Sequence, residues 1–354
     1  MKNKIPVTLM EQEAKEAPEV IARQIRENKD IISSLCRRLR KHRPPFAMTV
    51  ARGSSDHAAT YAKYLLETRM GMVTSGAAPS VLTLYGTQLY EKGGLVIGIS
   101  QSGKSPDICE MMESARKRGA VTISIVNHEE SPLAKAAEYV IPLRAGEEKA
   151  VAATKSYLGS LSALLQLGAE FLQDRELLGC LDRLPEFLQQ ALEKDWSGAV
   201  DALKGISDTL VIGRGYGYPI AQEAALKFKE TASVHAEAFS GAEVLHGPFA
   251  LVKKDYPVLL FMQGDSSLPG MIDLGKEIKA LGAFPLVAAP AGLISEEEIK
   301  KTAEVYLPLP EALSPLCDPL MAIQAFYPMV ARFAVSRGYN PDSPEHLKKI
   351  TETI

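Results

Sequence analysis

Glu223, Lys227 and Glu230 stand at i, i+4 and i+7 in the run Glu-Ala-Ala-Leu-Lys-Phe-Lys-Glu. On a helix that spacing puts all three on one face. Charges gathered on one helix face are candidate functional groups. The competing reading is a solvated charge stripe. The neighbours Ala221, Ala224, Ala225, Leu226 and Phe228 instead suggest a helix packed among others. His246 follows in Leu-His-Gly-Pro. A lone His is more often structural, but in a Gly-Pro turn shortly after an acid-bearing helix it is a candidate acid or base.

A second set of residues suits an anion. Ser54 and Ser55 follow the apolar run from Met48 to Ala51, and Ser100-Gln101-Ser102-Gly103, with Ser105 just beyond, follows Leu95 to Ile99. Serine hydroxyls and the first amides of a helix bind a phosphate monoester through donated hydrogen bonds and partial positive charge. One such loop alone reads as helix capping by Ser. Two on adjacent strands favour a phosphate site.

These residues need a scaffold that brings loops together. In the first half, short apolar runs (Met48–Ala51, Leu95–Ile99, Val121–Val126, Tyr139–Leu143) alternate with helical patterns such as Asp56–Arg69 and Pro106–Arg118. That alternation predicts a parallel sheet covered on both faces, with ligands beyond the carboxyl ends of its strands. The second half repeats the order at an offset of about 163 residues, with runs at Thr209–Gly213, Val258–Met262, Phe284–Ala288 and Val305–Leu309. A shared Arg-Gly after the first strand and Gly-Ala before the third support a duplication of roughly 27–145 in 200–310. It is asymmetric: Gln263-Gly264-Asp265-Ser266 puts an acid where the first half would hold an anion. The expected organisation is a helical lead-in (1–43), a first domain with linking helices (44–195), a second domain (196–339) and a polar tail (340–354).

The 354 residues suffice for two domains, and a net charge of -3 gives no electrostatic reason to expect nucleic acid. Cys36, Cys109, Cys180 and Cys317 are scattered, without the paired spacing of zinc or redox motifs. The N-terminus lacks a signal-peptide pattern, and no apolar run is long enough for a membrane helix. A soluble, cytoplasmic protein without nicotinamide, metal or other cofactor is expected.

Ser100-Gln101-Ser102-Gly103, Val151-Ala152-Ala153-Thr154-Lys155, Glu223 to Glu230, His235-Ala236-Glu237-Ala238, Leu245-His246-Gly247-Pro248 and Leu347-Lys348-Lys349 together resemble the sugar isomerase (SIS) superfamily. The chain is most similar to the isomerase half of glucosamine-6-phosphate synthase and to stand-alone glucosamine-6-phosphate deaminases. The resemblance implies two tandem doubly wound, flavodoxin-like SIS domains. It also implies that Ser55, Ser100, Gln101, Ser102 and Ser105, beside Ser54, bind the sugar phosphate, and that Glu148, Val151 and Ala153 line the sugar. Glu230 would move a proton between C1 and C2, with Glu223 and Lys227 in support. His246 would help open the sugar ring from a neighbouring subunit, giving a homodimer with shared sites. Lys349 would contact the open-chain sugar and can form an imine with a ketose.

Two departures bear on the reaction. Lys104-Ser105-Pro106-Asp107 replaces the acid that usually follows Ser-Gln-Ser-Gly in the synthase, as in the stand-alone deaminases. Lys2 stands where the synthase starts with a cysteine, and no glutaminase domain is seen. The expected reaction is therefore conversion of glucosamine 6-phosphate to fructose 6-phosphate and ammonia. Alternatives on the same residues are a phosphosugar isomerase, a galactosamine-6-phosphate deaminase and a deglycase. A non-catalytic sugar-phosphate sensor is disfavoured, because the lead-in shows neither a basic patch nor a clear helix-turn-helix.

Overall fold

The computed structural model describes residues 7–349. Residues 1–6 and 350–354, the two ends of the expected lead-in and tail, lie outside the described residues. The chain divides into two compact units, each carrying one five-stranded parallel sheet. The first unit comprises Glu19–Glu148, Lys155–Arg183 and the tail from Lys348; the second comprises the described residues up to Pro18, Lys149–Thr154 and Leu184–Leu347.

The lead-in forms α1 (Leu9–Glu27) and α2 (Lys29–Lys41), and the division between units falls within α1. The first unit continues through β1 (Ala47–Val50), α3 (Ser54–Met70), β2 (Thr74–Gly76), α4 (Ser80–Thr83), β3 (Leu95–Ser100), α5 (Pro106–Lys117), β4 (Val121–Val126), α6 (Pro132–Ala136), β5 (Tyr139–Pro142) and α7 (Lys155–Leu172) into α8 (Arg175–Leu192). Its strand order is β2-β1-β3-β4-β5. Every residue of β1 and β3 is buried, which is why these strands read as uninterrupted apolar runs. Ile108, Met111, Met112 and Ala115 of α5 cover Val50 and Val96. α7 buries all but two of its eighteen residues. Gly168 on α7 lets Leu65 of α3 approach, since a Cβ there would sit 3.1 Å from the leucine methyl.

The second unit adds α9 (Ser197–Ala202), β6 (Asp208–Gly213), α10 (Tyr218–Ala232), β7 (His235–Ser240), β8 (Pro257–Phe261), α11 (Leu268–Ala280), β9 (Phe284–Ala291), α12 (Glu296–Thr302), β10 (Val305–Glu311) and α13 (Asp318–Ser336). Its order, β10-β9-β8-β6-β7, is that of the first sheet written backwards. Both are the doubly wound 2-1-3-4-5 arrangement of flavodoxin-like folds. The pairings repeat too: Ala47 faces Leu95 in the first sheet and Leu210 faces Val258 in the second, the same interval further on. The duplicated, doubly wound fold expected from the sequence is what the sheets show.

Two strands had no counterpart among the apolar runs, β2 and β7. Both are edge strands paired on one side, to β1 and β6. β2 has only Thr74 buried, and β7 alternates in and out of solvent, so neither carries the buried run that marks the central strands. Among the described residues no helix is long and apolar enough to cross a membrane.

Candidate active site

In the second unit the acid–base residues sit on α10. The helix opens with Pro219 in its first turn, where a missing N–H costs nothing, and stops at Ser233 in the left-handed conformation (φ 52°). Phe228 seats it on α13 by edge-to-face contacts with Phe326 and Phe333, ring centroids 5.3 and 5.9 Å apart. That packing turns the charged face inward. The side chains of Glu223 and Lys227 are 0% and 1% exposed, so the solvated-stripe reading is wrong. Lys227 Nζ lies 3.3 Å from Glu223 Oε1 and 2.5 Å from Glu230 Oε2. Tyr327 on α13 donates to Glu223 Oε1 at 3.3 Å.

Burial alone would strip Lys227 of its proton, but the carboxylates of Glu223 and Glu230 outweigh it and hold the pKa above the ordinary lysine value. The ammonium thus keeps its proton at neutral pH, and it pairs with the Glu230 carboxylate. Glu230 is the member of the group that reaches solvent, with 22% of its side chain exposed. It lines a cavity of about 360 Å³ together with Tyr339, Asn340, Ser343 and His346. A positioned carboxylate at the wall of a cavity, backed by a buried cation, is arranged to accept and return a proton.

His246 stands apart from this group. It follows a short 3₁₀ turn (Glu243–Leu245), its amide donates to Glu243 O at 2.9 Å, and the residue is exposed. Gly247 behind it takes φ 132°, open to glycine and strained for other residues.

In the first unit, the serines of the two loops follow adjacent strands, β1 and β3. Ser54 and Ser55 form the first turn of α3, whose cap is Gly53 at φ 56°; Ser105 is the cap of α5, without a side-chain cap hydrogen bond. Neither helix is therefore capped by a serine hydroxyl, which is the use that the plain capping reading assigned to these side chains. Ser54, Ser55, Gln101, Ser102 and Ser105 are all partly accessible. Ser100 differs: it is buried, and its Oγ accepts the Gly103 amide at 3.0 Å, so its oxygen shapes the loop from within. Gly103 itself is held at φ 63°, where a Cβ would lie 2.3 Å from Ser131 Oγ. Arg52 reaches across to Asp107 Oδ2, with Nη2 at 2.7 Å and Nε at 3.2 Å.

The corresponding loop of the second unit is closed by its own side chains. Gln263 Nε2 donates to Arg214 O and to Asp265 Oδ2, and Asp265 Oδ1 accepts the Ser267 amide at 2.8 Å and its hydroxyl at 2.5 Å. Asp265 thus engages the amide and hydroxyl of Ser267 at the start of α11.

The remaining residues surround the segment after β5. Glu148 is buried, accepts from Ser156 N and Oγ, and pairs with Lys349 Nζ at 2.9 Å, so two residues quoted for sugar contact meet in the first unit. Val151 and Ala153 are partly accessible in the second unit, where the Val151 amide donates to Asp342 O at 3.1 Å. The Asp342 carboxylate in turn accepts the amides of Leu9 and Met10, capping α1 from the far end of the chain.

Tyr327, Arg52, Asp107 and Asp342 were not singled out in the sequence. Signals existed for two: a tyrosine inside the apolar run of α13 needs a partner for its hydroxyl, and an acid in the first turn of α5 sits one turn from the serines. Asp342 had none, since the amides that its carboxylate accepts lie more than 300 positions away. Among the described residues no cluster of three or more His, Cys, Asp or Glu side chains is placed to hold a metal ion.

A family model described as SIS domain matches residues 46–169 and 206–287. The isomerizing glutamine–fructose-6-phosphate aminotransferase of Methanothermobacter thermautotrophicus is 34% identical over 303 residues, covering 85% of this chain and 50% of the relative. Its namesake from Thermotoga maritima is 35% identical over 311 residues with the same shares. The chain thus spans about half the length of the curated relatives it matches. A solved structure from Silicibacter pomeroyi DSS-3, provisionally named a phosphosugar isomerase, is 38% identical, covers 95% of this chain and all of its own, and superposes with a TM-score of 0.88.

Proposed function

Since the chain belongs to the SIS domain family, we propose that it catalyses proton transfer between C1 and C2 of a hexose 6-phosphate, and that its reaction is the deamination of glucosamine 6-phosphate to fructose 6-phosphate and ammonia. The observation that carries the reading is the buried Glu223–Lys227–Glu230 group, of which Glu230 opens on a cavity. The curated relatives, named for fructose 6-phosphate, supply the substrate class.

In this account Ser54, Ser55, Gln101, Ser102 and Ser105 bind the phosphate, with Ser100 shaping the loop, and Glu230 is the base. Glu230 removes the C2 proton of the open-chain amino aldose and returns it to C1, while O1 gains a proton and the amine nitrogen gives one up, leaving an imine at C2. Water adds to the imine and ammonia departs. Lys227 holds the carboxylate in place, and Glu223, anchored by Tyr327, holds Lys227. Lys349, with Glu148, belongs beside the open chain. The exposed His246 suits ring opening in a neighbouring copy, which makes the active form a homodimer. Incubation with glucosamine 6-phosphate should release ammonia and fructose 6-phosphate in equal amounts, and Glu230→Gln should abolish both. Turnover by that variant at the native rate contradicts the assignment of the base.

A second reading, interconversion of a neutral aldose and ketose phosphate on the same residues, is favoured by the likeness to the Silicibacter structure. Interconversion of fructose 6-phosphate and glucose 6-phosphate, with no ammonia from any amino sugar, selects it.

A further inference from the structure

We infer that Arg52 is a phosphate-binding, specificity-determining residue of this site, held in place by Asp107; the inference rests on the phosphate site proposed above. Arg52 leaves β1 just before Gly53 and the serines of α3, while Asp107 lies in the first turn of α5, two residues after Ser105. The two therefore join the loops that carry the serines.

The burial of the pair is lopsided. The Asp107 side chain is 1% exposed and that of Arg52 is 51% exposed. One carboxylate oxygen accepts both Arg52 nitrogens and the other accepts the Ile108 amide at 2.8 Å. An anion so placed cannot leave its partner without stranding a buried charge. The guanidinium is thus anchored along one edge. Nη1 and the second hydrogen of Nη2 remain on its outer side, in the rigid fork that matches phosphate oxygens. The pair is neutral overall, but its positive end is the exposed one. Lys104, the other cation of these loops, is exposed and has no such anchor.

A role in joining the loops and a role in holding phosphate predict different things. If Arg52 only bridges, neutral side chains that hydrogen-bond across the same gap will serve. If it binds phosphate, the charge itself is required, most of all for the dianion, which makes up a larger share of inorganic phosphate at higher pH. The test is calorimetric titration of the full chain with inorganic phosphate at pH 5.5 and 7.5, on the native protein, Arg52→Lys, Arg52→Gln and Arg52→Gln/Asp107→Asn. The double variant removes both charges, so no buried carboxylate is stranded and the fold is kept. We expect affinity at pH 7.5 to fall at least about tenfold in Arg52→Gln and in the double variant, a ratio of about 1.4 kcal/mol. Arg52→Lys should lie between. The gain in affinity from pH 5.5 to 7.5 should shrink in both variants that lack the charge. A double variant that binds phosphate like the native protein overturns the inference and leaves the phosphate site standing. A native protein that binds neither inorganic phosphate nor fructose 6-phosphate overturns both.

Discussion

A lysine with almost none of its side chain in water keeps its charge because carboxylates offset the lost hydration, and at Lys227 two of them do so. Replacing it with Met leaves Glu223 buried without its counter-ion. The expected loss is about 3–5 kcal/mol of stability, read from urea unfolding; a loss below about 1 kcal/mol would mean that Glu223 finds another partner. The sign of the pH dependence follows. Because the folded-state pKa of Lys227 is raised, its stabilisation is complete below the ordinary lysine value of about 10.4 and is lost as pH rises through the higher folded value. As pH rises above about 10, native protein should therefore lose stability more steeply than Lys227→Met. Parallel curves would show that the lysine does not titrate with unfolding.

At the scale of elements, loops fix the chemistry and helices fix the loops. Gly103→Ala places a Cβ at φ 63° against Ser131, so the loop must shift; the expected cost is about 1–3 kcal/mol together with weaker phosphate binding, measured by unfolding and by titration. Ser102→Asp sets a like charge against the phosphate and should weaken binding at least about tenfold. The same change at Ser266 should leave it within about twofold, because Asp265 already closes that loop. Equal losses at the two positions would remove the asymmetry between the loops. The serine loops, the duplicated strands and the i, i+4, i+7 charges were legible in the sequence because each is a local pattern with a local cause. β2 and β7 were not, since half-exposed edge strands carry no run of buried residues. Nor could local pattern show that the α10 charges are interior: that depends on α13, a hundred positions further on, and on Phe326, Tyr327 and Phe333 within it. The Asp342 cap on α1 is equally non-local.

At the scale of the molecule, one ancestral sheet has been put to two uses. The first copy keeps serine loops that are partly accessible; the second has filled the corresponding loop with Gln263 and Asp265 and buries its charged group on α10. The proposed role of the exposed His246 in a neighbouring copy is tested with pairs of chains. Mixing inactive His246→Ala with inactive Glu230→Gln should restore about a quarter of native activity, since half of randomly paired dimers hold one complete site. Verified mixed dimers that stay inactive would put both groups to work within one chain. All of this turns on whether Glu230 moves a proton at C2. In heavy water, nuclear magnetic resonance of glucosamine 6-phosphate and fructose 6-phosphate with the native protein should show deuterium entering at C2 of the aldose and C1 of the ketose. The rate should fall by about a hundredfold or more in Glu230→Gln, while affinity for inorganic phosphate is unchanged. Exchange in that variant at the native rate would contradict the account.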